Sequence, residues 1–241
     1  MAAAQDSGIE TRLVIRVLAH DAKLIGSSVG GAHIVIKEVS SGRVLADGVQ
    51  EGDTGNTQKI IVEPYMRHGE RFNTEGAAAF VATLFLERPT VIEIAAYAPL
   101  GNPEATLRST KQMLVVPGRH VEGEGIVLEL NGFTVDWLTP DPEEPVDSGA
   151  ELSIRVKVTM LCGCPTQPGG LWDAAFIDVV ARVIEEGRVL QETPFSFSGE
   201  TSIYEGVVRA PNAGRYLIEI LAMDDEHGNF GRAVRTITVI D

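Results

Sequence analysis

Apolar and polar residues alternate with period two along most of this chain. The alternating stretches are rich in β-branched residues and are broken by Gly, Pro, Asn and Asp, the signature of strands joined by turns. No stretch carries a sustained helical stripe with caps. Leu13, Ile15 and Val17 fall on one side of a first strand, Arg12, Val14 and Arg16 on the other. Further strands are expected at 32–39, 43–46, 59–63, 78–86, 90–97, 111–116 and 125–130. Tyr65 to Glu75 reads as a polar, mobile loop, and Glu87-Arg88-Pro89 as a hairpin connection. The cleanest alternation lies at 152–160: Leu152, Ile154, Val156, Val158 and Met160 share one face, Ser153, Arg155, Lys157 and Thr159 the other. That pattern predicts one buried and one wet face. Strands at 176–184, 189–191, 204–209, 215–223 and 233–240 complete the set.

These short strands predict an all-β fold of two β-sandwich domains in tandem. The boundaries read as 10–135 for the first sandwich, 136–149 for an acidic Pro-rich linker and 150–241 for the second. Pro140-Asp141-Pro142-Glu143-Glu144-Pro145 is the core of that linker and should be extended and solvated. Asn131-Gly132 reads as a turn at the junction.

The 241 residues suffice for two ordinary domains, and 44% hydrophobic content supplies a core for each. The net charge is -14. Up to Leu138 there are 12 basic and 17 acidic residues, beyond it 8 and 17, so both parts are acidic. Neither has a basic run, which argues against nucleic acid and against an anionic membrane surface. No apolar run approaches the length of a membrane-spanning helix, so no membrane insertion is expected. Met1 to Asp6 shows no signal-peptide pattern.

Two resemblances follow from local motifs. Ala19-His20-Asp21-Ala22-Lys23-Leu24-Ile25-Gly26, Gly31 to Ile36 and Ser41 to Ala46 resemble the start of transthyretin-like, carboxypeptidase-regulatory-type sandwiches. Asn212-Ala213-Gly214-Arg215-Tyr216 resembles the tyrosine corner of immunoglobulin-like sandwiches. Ala222-Met223-Asp224-Asp225-Glu226-His227-Gly228-Asn229 resembles the closing hairpin of bacterial Ig-like and fibronectin-type domains. The antibody cysteine pair is absent, because Cys162 and Cys164 lie in one loop. These resemblances imply recognition, adhesion or spacing rather than catalysis, and an extracytoplasmic location.

The candidate chemistry is concentrated in that loop. If the chain stayed extended, Met160, Cys162 and Cys164 would point to one side, offering two thiols and a thioether. Such soft ligands select Cu(I), or Zn together with further donors such as His227. A labile dithiol/disulfide pair is the redox version, and two small apolar side chains filling a loop the plain one. Gly170, Leu171, Trp172 and Asp173 end the loop, and Trp172 is either a partner anchor or a plug for the sandwich end. Asp224, Asp225 and Glu226 form an acidic loop with carboxylates for calcium but without EF-hand spacing. Asp47, Glu51 and Asp53 form a similar cluster. His20-Asp21 and His33 have the residue types of catalysis, but no nucleophile elbow, phosphate loop or zinc-protease motif accompanies them. The expectation is a non-enzymatic recognition or accessory protein with a protein or carbohydrate partner. A copper, zinc or dithiol protein is the alternative.

Overall fold

The computed structural model describes residues 8–241; the signal-peptide reading of Met1 to Asp6 falls outside them. The chain is all-β and divides into two compact units between Leu130 and Asn131.

Among its described residues unit 1 has seven strands: β1 (Ile9–Ala19), β2 (Ala32–Glu38), β3 (Val44–Gln50), β4 (Phe80–Leu86), β5 (Thr90–Ala98), β6 (Leu107–Val115) and β7 (Val121–Leu130). One sheet runs β4-β1-β7, with β1 and β7 parallel; the other runs β3-β2-β5-β6. The alternation in β1 does what it predicts, since Leu13, Ile15 and Val17 are fully buried. Gln50 is buried too, at no net cost, because its side chain accepts from the Val17 amide and donates to the Val17 and Ile25 carbonyls.

Lys59 to Glu63 does not form the expected strand. Residues Gln58–Val62 make one wide helical turn instead. Ile-Ile-Val suits either state, and Asn56 decides it: its side chain accepts from the Lys59 amide and its carbonyl from the Ile60 amide. The turn seats Ile60 on Leu18, Leu24, Phe72 and Ala78.

The segment from Tyr65 to Glu75 is tied down rather than loose. Glu124 on β7 accepts from three successive amides, with Oε1 2.9 Å from the Arg71 and Asn73 nitrogens and Oε2 2.8 Å from that of Phe72. Arg71 donates to the Ile60 carbonyl, and its guanidinium lies over the rings of Tyr65 and Phe72. Arg16, on the outward face of β1, is only 4% exposed because residues 73–78 cover it. It donates to the carbonyls of Ala77 and Ala78 and to Asn73. Burial pulls its guanidinium below the usual arginine range, and the nearby Glu124 charge opposes that shift.

Unit 2 has eight strands: β8 (Phe133–Thr139), β9 (Val146–Asp147), β10 (Glu151–Met160), β11 (Asp178–Glu185), β12 (Arg188–Phe197), β13 (Ile203–Arg209), β14 (Gly214–Asp224) and β15 (Asn229–Ile240). Their order is β8-β10-β13-β12-β11-β14-β15-β9, with β12 joining the two layers of the sandwich through a short pairing to β13. Leu152, Ile154, Val156, Val158 and Met160 are all buried, as their alternation requires.

Residues 136–149 are not a free linker. Phe133, Val135 and Trp137 pair with Met160, Val158 and Val156 of β10, and Val146 pairs with Val239 of β15. The prolines and acids only form the crossing between two short strands. Asp141 holds that crossing by accepting from the Glu143 amide, and the Trp137 indole donates to the Pro140 carbonyl. The tyrosine corner is formed: the Tyr216 hydroxyl donates to the Asn212 carbonyl at 3.0 Å.

Candidate functional site

Residues 161–177 connect β10 to β11 and fold as two successive tight turns. The first is Met160 to Gly163. The Gly163 amide donates to the Met160 carbonyl at 2.7 Å, and the Met160 amide to the Cys164 carbonyl at 3.0 Å. Gly163 has φ 79°, a left-handed conformation that a side chain would strain. The extended arrangement of Met160, Cys162 and Cys164 is therefore not adopted. Cys162 sits at the corner of the turn, and Cys164 lies across from Met160. Leu161, Cys162 and Cys164 are all buried.

The returning chain is locked by Thr166, which is itself buried. Its hydroxyl donates to the Val158 carbonyl at 2.9 Å, its amide to the Ser202 hydroxyl, and its carbonyl accepts from the Ser202 amide. The buried Tyr204 hydroxyl donates to the Thr166 hydroxyl oxygen at 3.3 Å, and its ring meets Phe197 edge-on. Burial raises the Tyr204 phenol above its ordinary range; the Thr166 bond lowers it and the Asp173 charge raises it further. A raised phenol pKa stabilises the fold below the ordinary phenol pKa, and that stability is lost as pH rises through the raised value. Tyr204→Phe should therefore cost about 1 kcal/mol or less at neutral pH. It should also give a shallower loss of stability in base, read by circular dichroism at a series of alkaline pH values. An alkaline limb identical to that of the native chain would contradict the assignment.

The second turn spans Gln167 to Trp172. The Gln167 amide donates to the Trp172 carbonyl, and the Gly170 and Ala174 amides to the Gln167 carbonyl. Asp173 then accepts from the Ala175 amide at 2.9 Å and starts one 3₁₀ turn, Ala174–Phe176. Trp172 points inward and is 9% exposed, so it plugs the sandwich end. Leu171 and Phe176 point outward at 55% and 64% exposure. Gly170 is half-buried against the Gln167 side chain. Of the four residues expected to meet a partner, only Leu171 is a large accessible apolar one. Phe176 joins it from a position that reads in sequence as the first residue of a strand. The Asp173 cap, three residues before Phe176, is the local signal for the turn that exposes it.

The other candidates are engaged elsewhere. Asp224 is buried, and its carboxylate accepts from the His227 amide and meets His227 Nδ1 at 2.9 Å. It therefore staples the β14–β15 hairpin, while Asp225 and Glu226 face solvent. His20 meets Glu129 at 3.0 Å and His33 meets Asp47 at 2.9 Å, both near the surface. Among the described residues no three His, Cys, Asp or Glu side chains converge as a metal site would. A zinc ion at Cys162 and Cys164 would lack its remaining protein donors, and His227 is turned onto Asp224. Met160, Cys162 and Cys164 are all buried, but the turn after Met160 takes them out of the one-sided row that a shared soft-metal site would need.

No family model matches the chain, and no curated protein does. Among solved structures, an engineered protein is similar at 15% identity and TM-score 0.34 over 49% of this chain; the chain spans 22% of that protein's length. The fibronectin(III)-like modules of Clostridium thermocellum CbhA are similar at 12% identity and TM-score 0.31, covering 96% of this chain and 94% of theirs. A putative membrane anchored protein from Corynebacterium diphtheriae is similar at 13% identity and TM-score 0.32, covering 99% of this chain and 47% of its own. None of these likenesses identifies an activity or a partner.

Proposed function

We propose that the chain is a non-enzymatic recognition module whose second sandwich presents the 161–177 loop to a protein partner. The observation that carries this reading is the division of labour within the loop. Leu161, Cys162, Cys164, Thr166 and Trp172 face inward and hold it; Leu171 and Phe176 face water. A loop with no role beyond connection gains nothing by exposing two large apolar side chains, whereas a preorganised apolar tip lowers the ordering cost of binding. Apolar side chains of this kind suit a protein pocket better than a sugar, which needs a flat aromatic face ringed by hydrogen-bonding groups.

The test compares the immobilised native chain with Leu171→Ser/Phe176→Ser and with the unit 1 surface variant Phe85→Ser. All three should unfold within about 0.5 kcal/mol of one another, because exposed substitutions rarely matter to stability. A partner held by the native chain and by Phe85→Ser should bind the loop double variant about 10- to 100-fold more weakly, the usual value of one or two anchors. Equal retention by all three would overturn the reading. Retention of a glycan in place of a protein would overturn the partner class.

A further inference from the structure

We propose that Asn131-Gly132 is a self-modification site, where asparagine converts to aspartate and isoaspartate, and that Asn229 is the lock that holds the reaction back while the fold is closed. Asn131 is the one asparagine in the chain that a glycine follows. With no Cβ on the second residue, its amide nitrogen is sterically open to the side chain before it. Asn131 is exposed, and its Nδ2 lies 3.5 Å from the Gly228 carbonyl, a long contact. Neither packing nor a strong hydrogen bond restrains this side-chain amide.

The reaction exchanges one amide for another, with water as the co-reactant. The Gly132 nitrogen gives its proton to solvent and attacks Asn131 Cγ. The N–Cγ bond forms, the Cγ–Nδ2 bond breaks, and Nδ2 takes up a proton and leaves as ammonia. Water then opens the resulting five-membered imide at either carbonyl. Cleavage of the N–Cγ bond restores the backbone and leaves aspartate. Cleavage between the nitrogen and the Asn131 carbonyl carbon routes the backbone through Cγ as isoaspartate. Either product carries one more negative charge than asparagine.

The folded chain withholds the first step. The Gly132 N–H donates to Asn229 Oδ1 at 2.8 Å in a buried bond, which keeps its proton from solvent. Asn229 opens β15 and is fully buried. The β14–β15 hairpin fixes its place: Asn229 pairs with Asp224, and Asp224 accepts from the His227 amide. On the other side, Phe133 pairs with Met160 of β10. There β15 comes so close that a Cβ at Gly231 would stand 2.7 Å from the Phe133 carbonyl oxygen. Asn229 Nδ2 has no hydrogen-bond partner among the described residues. Burying an unpaired amide group is costly, so the position is justified by what Oδ1 does for Gly132. Conversion therefore requires the start of β8 to part from the hairpin. A carboxylate at position 131 would then repel the Gly228 carbonyl and hinder reclosure.

The test follows conversion at Asn131 by peptide mass spectrometry, in mildly alkaline buffer with and without urea. It compares the native chain with Asn229→Ala and with Val183→Ala. Val183 is fully buried in the middle of β11, so its truncation loosens the sandwich and leaves the Gly132 bond in place. The native chain should convert slowly when folded and fast in urea, at Asn131 before any other asparagine. Folded Asn229→Ala should convert about 10-fold faster than the native chain, the usual effect of one buried hydrogen bond on a local opening. Val183→Ala should keep the native rate. If Asn229→Ala fails to fold by circular dichroism, hydrogen exchange of the Gly132 amide in the native chain decides. Protection to the degree of β10 supports the lock, and exchange at the rate of an open chain overturns it. Equal native rates with and without urea, folded Asn229→Ala at the native rate, or equal acceleration by Val183→Ala would each overturn the proposal.

Discussion

Trp172→Ala should destabilise the second sandwich by about 3 kcal/mol, the low end for truncating a buried aromatic. Trp172 is the largest side chain that the 161–177 loop buries, and its carbonyl accepts from the Gln167 amide within the same turn. Removing the indole leaves a void beneath Gln167 to Asp173. The turn can then no longer hold Leu171 in a fixed place. Chemical unfolding followed by circular dichroism gives the size of the loss. Any partner that needs a rigid loop should be lost with it. A stability change under about 1 kcal/mol would mean that the indole is not the plug, and that Trp172 is available to a partner after all.

Glu124→Ala should cost about 2–3 kcal/mol in the first sandwich. One carboxylate serves three successive amides, those of Arg71, Phe72 and Asn73. Bonds to a charged acceptor are worth more than neutral ones, and the freed amides of Arg71 and Phe72 are partly buried. The charge of Glu124 also supports the buried Arg16 guanidinium. Its loss leaves that cation with only carbonyls and the Asn73 side chain. The readout is local as well as global. Trypsin should cut at Arg67 and Arg71 much faster in the variant, because the segment is no longer pinned to β7. Glu124→Gln, which keeps an acceptor but not the charge, should fall between. Unchanged cleavage would show that Arg71 and Arg16 hold the segment without Glu124.

The contrast between these two sites shows what local pattern can and cannot carry. The buried face of β10 and the inward set of β1 were legible, because period-two alternation maps directly onto the two faces of a strand. The Tyr216 corner was legible because Asn212 and Tyr216 lie close in sequence. The anchored state of residues 65–75 was not, since its cause, Glu124, lies about 50 residues away in the chain. The helical turn at Gln58–Val62 was masked by residues that favour strands, and its local signal is the Asn56 side chain, which accepts from the Lys59 amide. Phe133–Thr139 was hidden because the Pro- and acid-rich stretch after it dominates the composition of 136–149, although Phe133 and Val135 are buried core residues.

The 161–177 loop was half legible. Its Gly and Pro content marks a turn-rich segment, and the plug reading of Trp172 is the one its burial supports. Strand parity misplaced the sulfurs, because parity fails at the first residue of a tight turn and the chain turns at Leu161. Phe176 escaped notice because an apolar residue just before Ile177 and Val179 blends into the strand that follows.

Amide hydrogen exchange across residues 161–177 of the native chain tests the central claim most directly, that this loop is a fixed display surface and not a slack connection. Bonded amides at Gly163, Thr166, Gln167, Gly170 and Ala174, together with Ser202, should be protected to nearly the degree of β10 and β11. Leu171 and Phe176 would then project from a rigid frame. Exchange of those amides at the rate of an unstructured chain, with β10 and β11 protected, would contradict the account.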